Sequence, residues 1–126
     1  MARRPTKGEA EAAIRNAVIK FEQEFMGRGP SDVKAFIMKD IILVRLKGVL
    51  TPAERQLAKS PEGIEMVRRM RQTLISQGRD SLTKEITNLI DVNILGIFTD
   101  IDTQVGERVF VFTLDRDVEA TFPQTG

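Results

Sequence analysis

The chain contains no histidine, no cysteine, no tryptophan and no tyrosine among its 126 residues. Histidine supplies the commonest general base, the commonest metal ligand and the usual protonation switch near neutral pH. Its absence excludes hydrolytic triads and most transition-metal sites. Without cysteine there is no disulfide framework, no thiolate zinc site and no thiol nucleophile. The missing tyrosine and tryptophan remove phenol acids and the best base-stacking side chains. Catalysis would have to rest on Asp, Glu, Lys, Ser or Thr, so the composition points away from an enzyme, and no cofactor is expected. Long apolar runs are lacking too. None is longer than four residues, as in Ile41-Ile42-Leu43-Val44, which is far too short to cross a bilayer, and no membrane insertion is expected.

What remains is the composition of an ordinary globular domain, 41% hydrophobic and 29% charged. A chain of this length buries a core without a disulfide or metal staple. Net charge is +1, and three basic residues (Arg3, Arg4 and Lys7) sit in the first seven. The body is therefore near neutral, unlike a dedicated duplex-DNA binder with its basic face. The basic start carries no apolar stretch of the kind a signal peptide needs, and a cytoplasmic protein is expected.

Periodicity predicts a helix from Gly8 to Met26, with Ala10, Ala13, Ile14, Ala17, Val18, Phe21 and Phe25 on one stripe. Gly27-Arg28-Gly29-Pro30 stops it. Val33–Lys39 and Ile41–Gly48 are rich in β-branched and aliphatic residues and predict a hairpin turning at Lys39-Asp40. Both strand faces are partly apolar, so something should cover each. Thr51-Pro52-Ala53-Glu54 predicts a capped helix start, and Ser60-Pro61-Glu62 a second. The helical pattern then runs from Pro61 to about Leu89, with a bend at Gly78 or a second subunit to support its length. Val92–Asp100 and Glu107–Leu114 predict a second hairpin.

The expected fold is thus α+β in the order α-β-β-α-α-β-β. Two helix-then-hairpin halves would build one four-stranded antiparallel sheet packed by helices, with one long second-half helix. Residues 1–8 are expected to be a flexible basic start, 9–116 one domain, and 117–126 a flexible tail. A second copy is expected to cover the other sheet face.

Four features are candidates for function. Arg28, between two glycines, could grip a carboxylate or phosphate, or simply cap carbonyls at a helix stop. Asp100, Asp102, Thr103 and Glu107 make an oxygen-rich loop, but the spacing does not fit an EF-hand, and an ordinary hairpin loop is expected, with no metal. Gly106–Phe112 resembles an RNA-binding strand with aromatics, yet the element order is wrong for that fold, so Phe110 and Phe112 are expected in the core. Arg68, Arg69 and Arg71 form the densest basic cluster, either a partner-binding surface or a solvated helix face balanced by Glu62, Glu65 and Glu85.

Several stretches together resemble the MpsC family. They are Phe21-Glu22-Gln23-Glu24-Phe25-Met26-Gly27-Arg28-Gly29-Pro30, then Leu46-Lys47-Gly48-Val49-Leu50-Thr51-Pro52-Ala53-Glu54 with Leu57-Ala58 and Pro61-Glu62-Gly63, and finally Thr99-Asp100 with Gly106 to Arg116. The similarity spans Glu9 to Arg116. It implies a link to a membrane-potential-generating system whose other parts are a large soluble subunit and an antiporter-like membrane subunit, tied to inorganic-carbon uptake. It brings no catalytic residues. The resulting expectation is a non-enzymatic accessory or regulatory interaction protein, a homodimer that can bind subunits of a membrane-transport complex. The alternative is a small nucleic-acid-binding regulator using the Arg68–Arg71 face.

Overall fold

The computed structural model describes residues 5–123. Its elements are α1 (Lys7–Met26), β1 (Asp32–Met38), β2 (Ile41–Lys47), α2 (Pro52–Leu57), α3 (Pro61–Ile90), β3 (Ile94–Asp102), β4 (Glu107–Leu114) and a 3₁₀ turn (Glu119–Thr121). The expected order of elements and the four-stranded antiparallel sheet are both present.

Local chemistry sets each boundary. Thr6 Oγ1 accepts from the Glu9 amide at 3.1 Å while Glu9 Oε1 accepts from the Thr6 amide at 3.0 Å, a capping box that starts α1 one residue before Gly8. Gly27, at φ 83°, ends α1 in the left-handed region, where a side chain would be strained. Thr51 and Glu54 form a second reciprocal box at 3.1 and 2.9 Å, with Pro52 at the first helical position, as expected. Ser60 caps α3 through the Gly63 amide.

The strands lie in the order β1-β2-β4-β3, so the two hairpins join through β2 and β4. Paired residues define three inward rows: Ile37-Ile42-Phe112-Ile97, Ala35-Val44-Phe110-Thr99 and Val33-Leu46-Arg108-Ile101. Helices α1 and α3 cover this face, and Phe21 of α1 meets Phe110 edge-on at 6.4 Å between ring centroids. Phe110 and Phe112 are fully buried and stacked, so these aromatics fill the core. The second hairpin starts two residues later than expected, because Asn93 is tied to Asp115 at 2.9 Å before the strand begins. Its loop tightens to Thr103–Gly106, where Asp102 Oδ1 accepts from the Gln104 amide at 2.9 Å.

Helix α3 is continuous over 30 residues, and Gly78 does not break it. That glycine serves contact instead. A Cβ there would lie 2.5 Å from Phe21 and 2.9 Å from Phe25, so its absence lets α1 and α3 approach closely. The C-terminal residues also depart from expectation. The chain stays packed beyond residue 117: Val118 is buried, its amide donates to the Lys39 carbonyl at 2.9 Å, and Glu119 pairs with Lys7 at 2.6 Å. Lys7 and Gly8, expected in the flexible start, lie in α1. Residues 1–4 and 124–126 of the expected flexible ends lie outside the described residues.

The outward face carries its own apolar row. Phe36 pairs with Leu43, Leu43 with Val111, and Val111 with Phe98, crossing all four strands. Phe36 is 42% exposed and Phe98 64%, so no described element covers the ends of this row.

Candidate functional site

Helix α3 buries a stripe of Gly63, Val67, Arg71, Ile75, Gly78, Leu82, Ile86 and Ile90. Arg71 occupies a core position on it, 1% exposed. Its Nε donates to Glu54 Oε2 at 2.7 Å and its Nη2 to Glu54 Oε1 at 2.8 Å, a bidentate pair. Nη2 also donates to the Val49 carbonyl at 2.6 Å. Glu22 of α1, likewise 1% exposed, places Oε1 3.9 Å from Arg71 Nη1. Glu22 Oε2 and Arg71 Nη1 have no hydrogen-bond partner. A guanidinium thus ties α1, the α2 cap and α3 together inside the core.

The two carboxylates titrate in opposite directions. Hydrogen bonds from Arg71 and Thr51 outweigh burial at Glu54 and hold its carboxyl below the ordinary range. At Glu22 burial outweighs the attraction of Arg71 and Arg108 and raises the carboxyl above it. For an acid raised on folding, the native state binds the proton more tightly, so its contribution to stability is present below the unfolded value and lost as pH rises through the folded one. Glu22→Gln removes that dependence. Denaturant unfolding across a pH series should show the variant gaining stability relative to wild type as pH rises above about 4.3, the ordinary glutamate value. A constant difference would show that the Glu22 carboxyl titrates normally.

Beside this network a cavity of about 330 Å³ opens between α3 and the β3–β4 hairpin. Phe21, Ile75, Leu82, Ile97 and Phe110 line its apolar part; Arg68, Arg79, Arg108, Gln72, Ser76, Thr99 and Asp100 line its polar part. Arg108 projects from the inward face of β4, 4% exposed, and lies 5.8 Å from the centroid of the Phe110 ring. Its Nη1 donates to Thr99 Oγ1 at 2.8 Å, while the buried Nε has no partner. Burial lowers its pKa to about 10, against the opposing pull of Glu22.

The candidate arginines separate. Arg68 stands at the cavity mouth, donating to the Ile101 carbonyl at 2.9 Å and to Asp100 Oδ1 at 3.0 Å. Arg69 is exposed and pairs with Glu65 one turn back at 3.3 Å. Arg71 is buried in the core, tied to Glu54 and the Val49 carbonyl, and does not join them on a surface. The three candidate arginines therefore do not form one continuous surface patch. Arg28 is exposed and reaches the Leu50 and Gly29 carbonyls at 3.4 and 3.5 Å, a weak tether. Asp100 and Asp102 are engaged in the ion pair and the turn. No group of three or more acidic side chains among the described residues could hold a metal ion.

Sequence reasoning passed over Glu22 and Arg108, read Glu54 only as a helix cap and Arg71 only as part of a basic cluster, and these four carry the interior charge. Spacing was the available signal. Arg71 falls four residues from both Val67 and Ile75, Glu22 four from Val18, and Arg108 two from Phe110, each in register with a buried series.

A single antiparallel sheet backed by two helices, with buried ion pairs and an arginine-lined cavity, defines a small α+β protein. The family follows from the sequence. The MpsC family model, described as the Na⁺-translocating membrane potential-generating system (MpsC), matches residues 6–116, and the chain belongs to this family. It is similar to the uncharacterized protein YbcI of Bacillus subtilis (strain 168), 36% identical over 114 residues, covering 90% of this chain and 92% of the relative. It is also similar to the uncharacterized protein YrhF of the same strain, 30% identical over 101 residues, covering 79% and 83%. No solved structure matches the chain.

Proposed function

We propose that this chain is a non-enzymatic accessory or regulatory protein that works through binding, as a cytoplasmic homodimer serving the Na⁺-translocating, inorganic-carbon-linked membrane system for which its family is named. No helix among the described residues is long and apolar enough to cross a membrane, so attachment to such a system would run through protein contacts. The observation that carries this reading is the outward apolar row Phe36-Leu43-Val111-Phe98. Exposed aromatics in a continuous band are costly to leave in water and mark an interaction surface.

A second copy fits this row. Two sheets pack face to face about 10 Å apart with strands nearly aligned. A two-fold axis along the strands, between β2 and β4, sets Phe36 over the second copy's Phe98 and Leu43 over its Val111. Such an isologous contact closes on itself and leaves α1 and α3 outward for other subunits.

Light scattering should give roughly twice the chain mass of 14.2 kDa. Phe98→Asp should halve it, by placing a charge in the apolar contact, while leaving the circular dichroism spectrum unchanged. A wild-type monomer, or a Phe98→Asp dimer, would remove the sheet face as the point of association.

A further inference from the structure

We propose that the cavity between α3 and the β3–β4 hairpin is a binding site for a small organic monocarboxylate, whose charge meets Arg108 and Arg79 and whose short apolar body lies against Phe21, Ile75 and Phe110.

The charge of the cavity is unbalanced. Its lining contains three arginines and one aspartate, and that aspartate is already paired with Arg68. The Arg79 side chain makes no hydrogen bond or ion pair with the described residues. Arg108 is the stronger indication. A guanidinium carries five N–H donors, and it is normally buried only when they are met. Here one donor bonds to Thr99 Oγ1 and the buried Nε bonds to nothing. No carboxylate among the described residues forms an ion pair or hydrogen bond with Arg108. The cationic side chain therefore faces the cavity with less negative charge than it needs, and an anion within reach would supply it.

The remaining lining selects among anions. An inorganic oxyanion would sit at the arginines and leave the aromatic and aliphatic walls wet. A molecule with one carboxylate and a few carbons covers both, which is the usual division of a small-molecule site into apolar walls and a few orienting polar groups. Gln72, Ser76 and Thr99 offer further hydrogen bonds at the rim. A volume of about 330 Å³ lies at the low end of ligand pockets and suits a small molecule.

Titration calorimetry on the full chain would compare acetate, hexanoate, benzoate, inorganic phosphate and hexanol. Hexanoate and benzoate are expected to bind at one site per chain, at least about tenfold more tightly than acetate, phosphate or hexanol. Arg108→Met, which replaces an under-satisfied buried cation by an apolar chain of similar reach, should abolish the preference for hexanoate over hexanol without lowering the melting temperature. Should that variant fail to fold, two rim variants serve. Arg79→Gln should weaken hexanoate binding about tenfold, and Ser76→Phe should block every ligand by filling the cavity. Equal binding of hexanoate and hexanol, phosphate binding as tight as hexanoate, or hexanoate binding untouched by Ser76→Phe would each overturn the assignment. The dimer contact lies on the opposite face of the sheet, so its failure would leave these outcomes unchanged.

Discussion

Arg71→Met should cost about 3–5 kcal/mol in denaturant unfolding, one of the largest losses available to a single substitution in this chain. The methionine fills much of the volume and would by itself be tolerated in a core. The loss comes from what it leaves behind. Glu54, held below its ordinary pKa by the arginine, would be an uncompensated carboxylate 5% exposed, and Glu22 would keep no partner on that side. The Val49 carbonyl would lose a donor at 2.6 Å. Breaking a buried pair is costly because one charge stays buried, whereas replacing every member together is often neutral. The triple variant Arg71→Met, Glu22→Leu, Glu54→Gln should therefore recover most of the stability. Glutamine at 54 can still accept from the Thr51 amide, so the cap survives. The orphaned Val49 carbonyl, about 1–3 kcal/mol, would remain, and the buried Arg108 would lose the attraction of Glu22. A single variant losing less than about 1 kcal/mol, or a triple variant no better than the single, would mean the network does not hold the helices.

Gly63→Ala should be comparably damaging, at about 3 kcal/mol or more, the upper end of overpacking costs, although it adds one methyl group to a helix. A Cβ at this site would lie 1.7 Å from the Leu57 carbonyl oxygen and 2.5 Å from its carbon. These are backbone atoms at the end of α2, so no rotamer change can relieve the clash, and the joint between α2 and α3 must open. Gly78→Ala is the internal comparison. There the new methyl meets ring edges of Phe21 and Phe25 at 2.5 and 2.9 Å, and rings can shift at the usual overpacking cost of about 1–3 kcal/mol. Alanine also returns about 1 kcal/mol of helix propensity. The order Gly63→Ala worse than Gly78→Ala, read from chemical denaturation, distinguishes backbone from side-chain obstruction. The reverse order would place the tight joint at the α1–α3 crossing instead.

Elements governed by local rules were legible in the sequence. Thr51, Pro52 and Glu54 announce a helix start that the fold contains, and β4 has the expected bounds from Glu107 to Leu114. Alternation in β1 and β2 marked two partly apolar faces before any pairing was known. What local rules cannot supply is the partner of a charge. Arg71 reads as one member of a basic run until its i±4 neighbours are weighed, and the general expectation that charges face water then hides it. The cavity is invisible for the same reason: Arg79 on α3 and Arg108 on β4 line one space only once the sheet is assembled. The packed tail depends on contacts equally distant in sequence, from Val118 to Lys39 and from Glu119 to Lys7, and a polar segment near a terminus gives no sign of them.

The strand order has a consequence for how the molecule comes to exist. Each hairpin joins neighbours in the chain and can zip within microseconds. The seam between β2 and β4 cannot, because it brings together Arg45 and Glu107, 62 residues apart, with both α2 and α3 in the intervening loop. Closing that loop carries an entropic cost that grows with the logarithm of its length and is repaid only when the sheet is continuous. Until then each half presents an open strand edge, β2 on one side and β4 on the other, complementary to the same edge of a neighbouring chain. The seam is thus both the slow step of assembly and the place where two chains folding together could exchange halves.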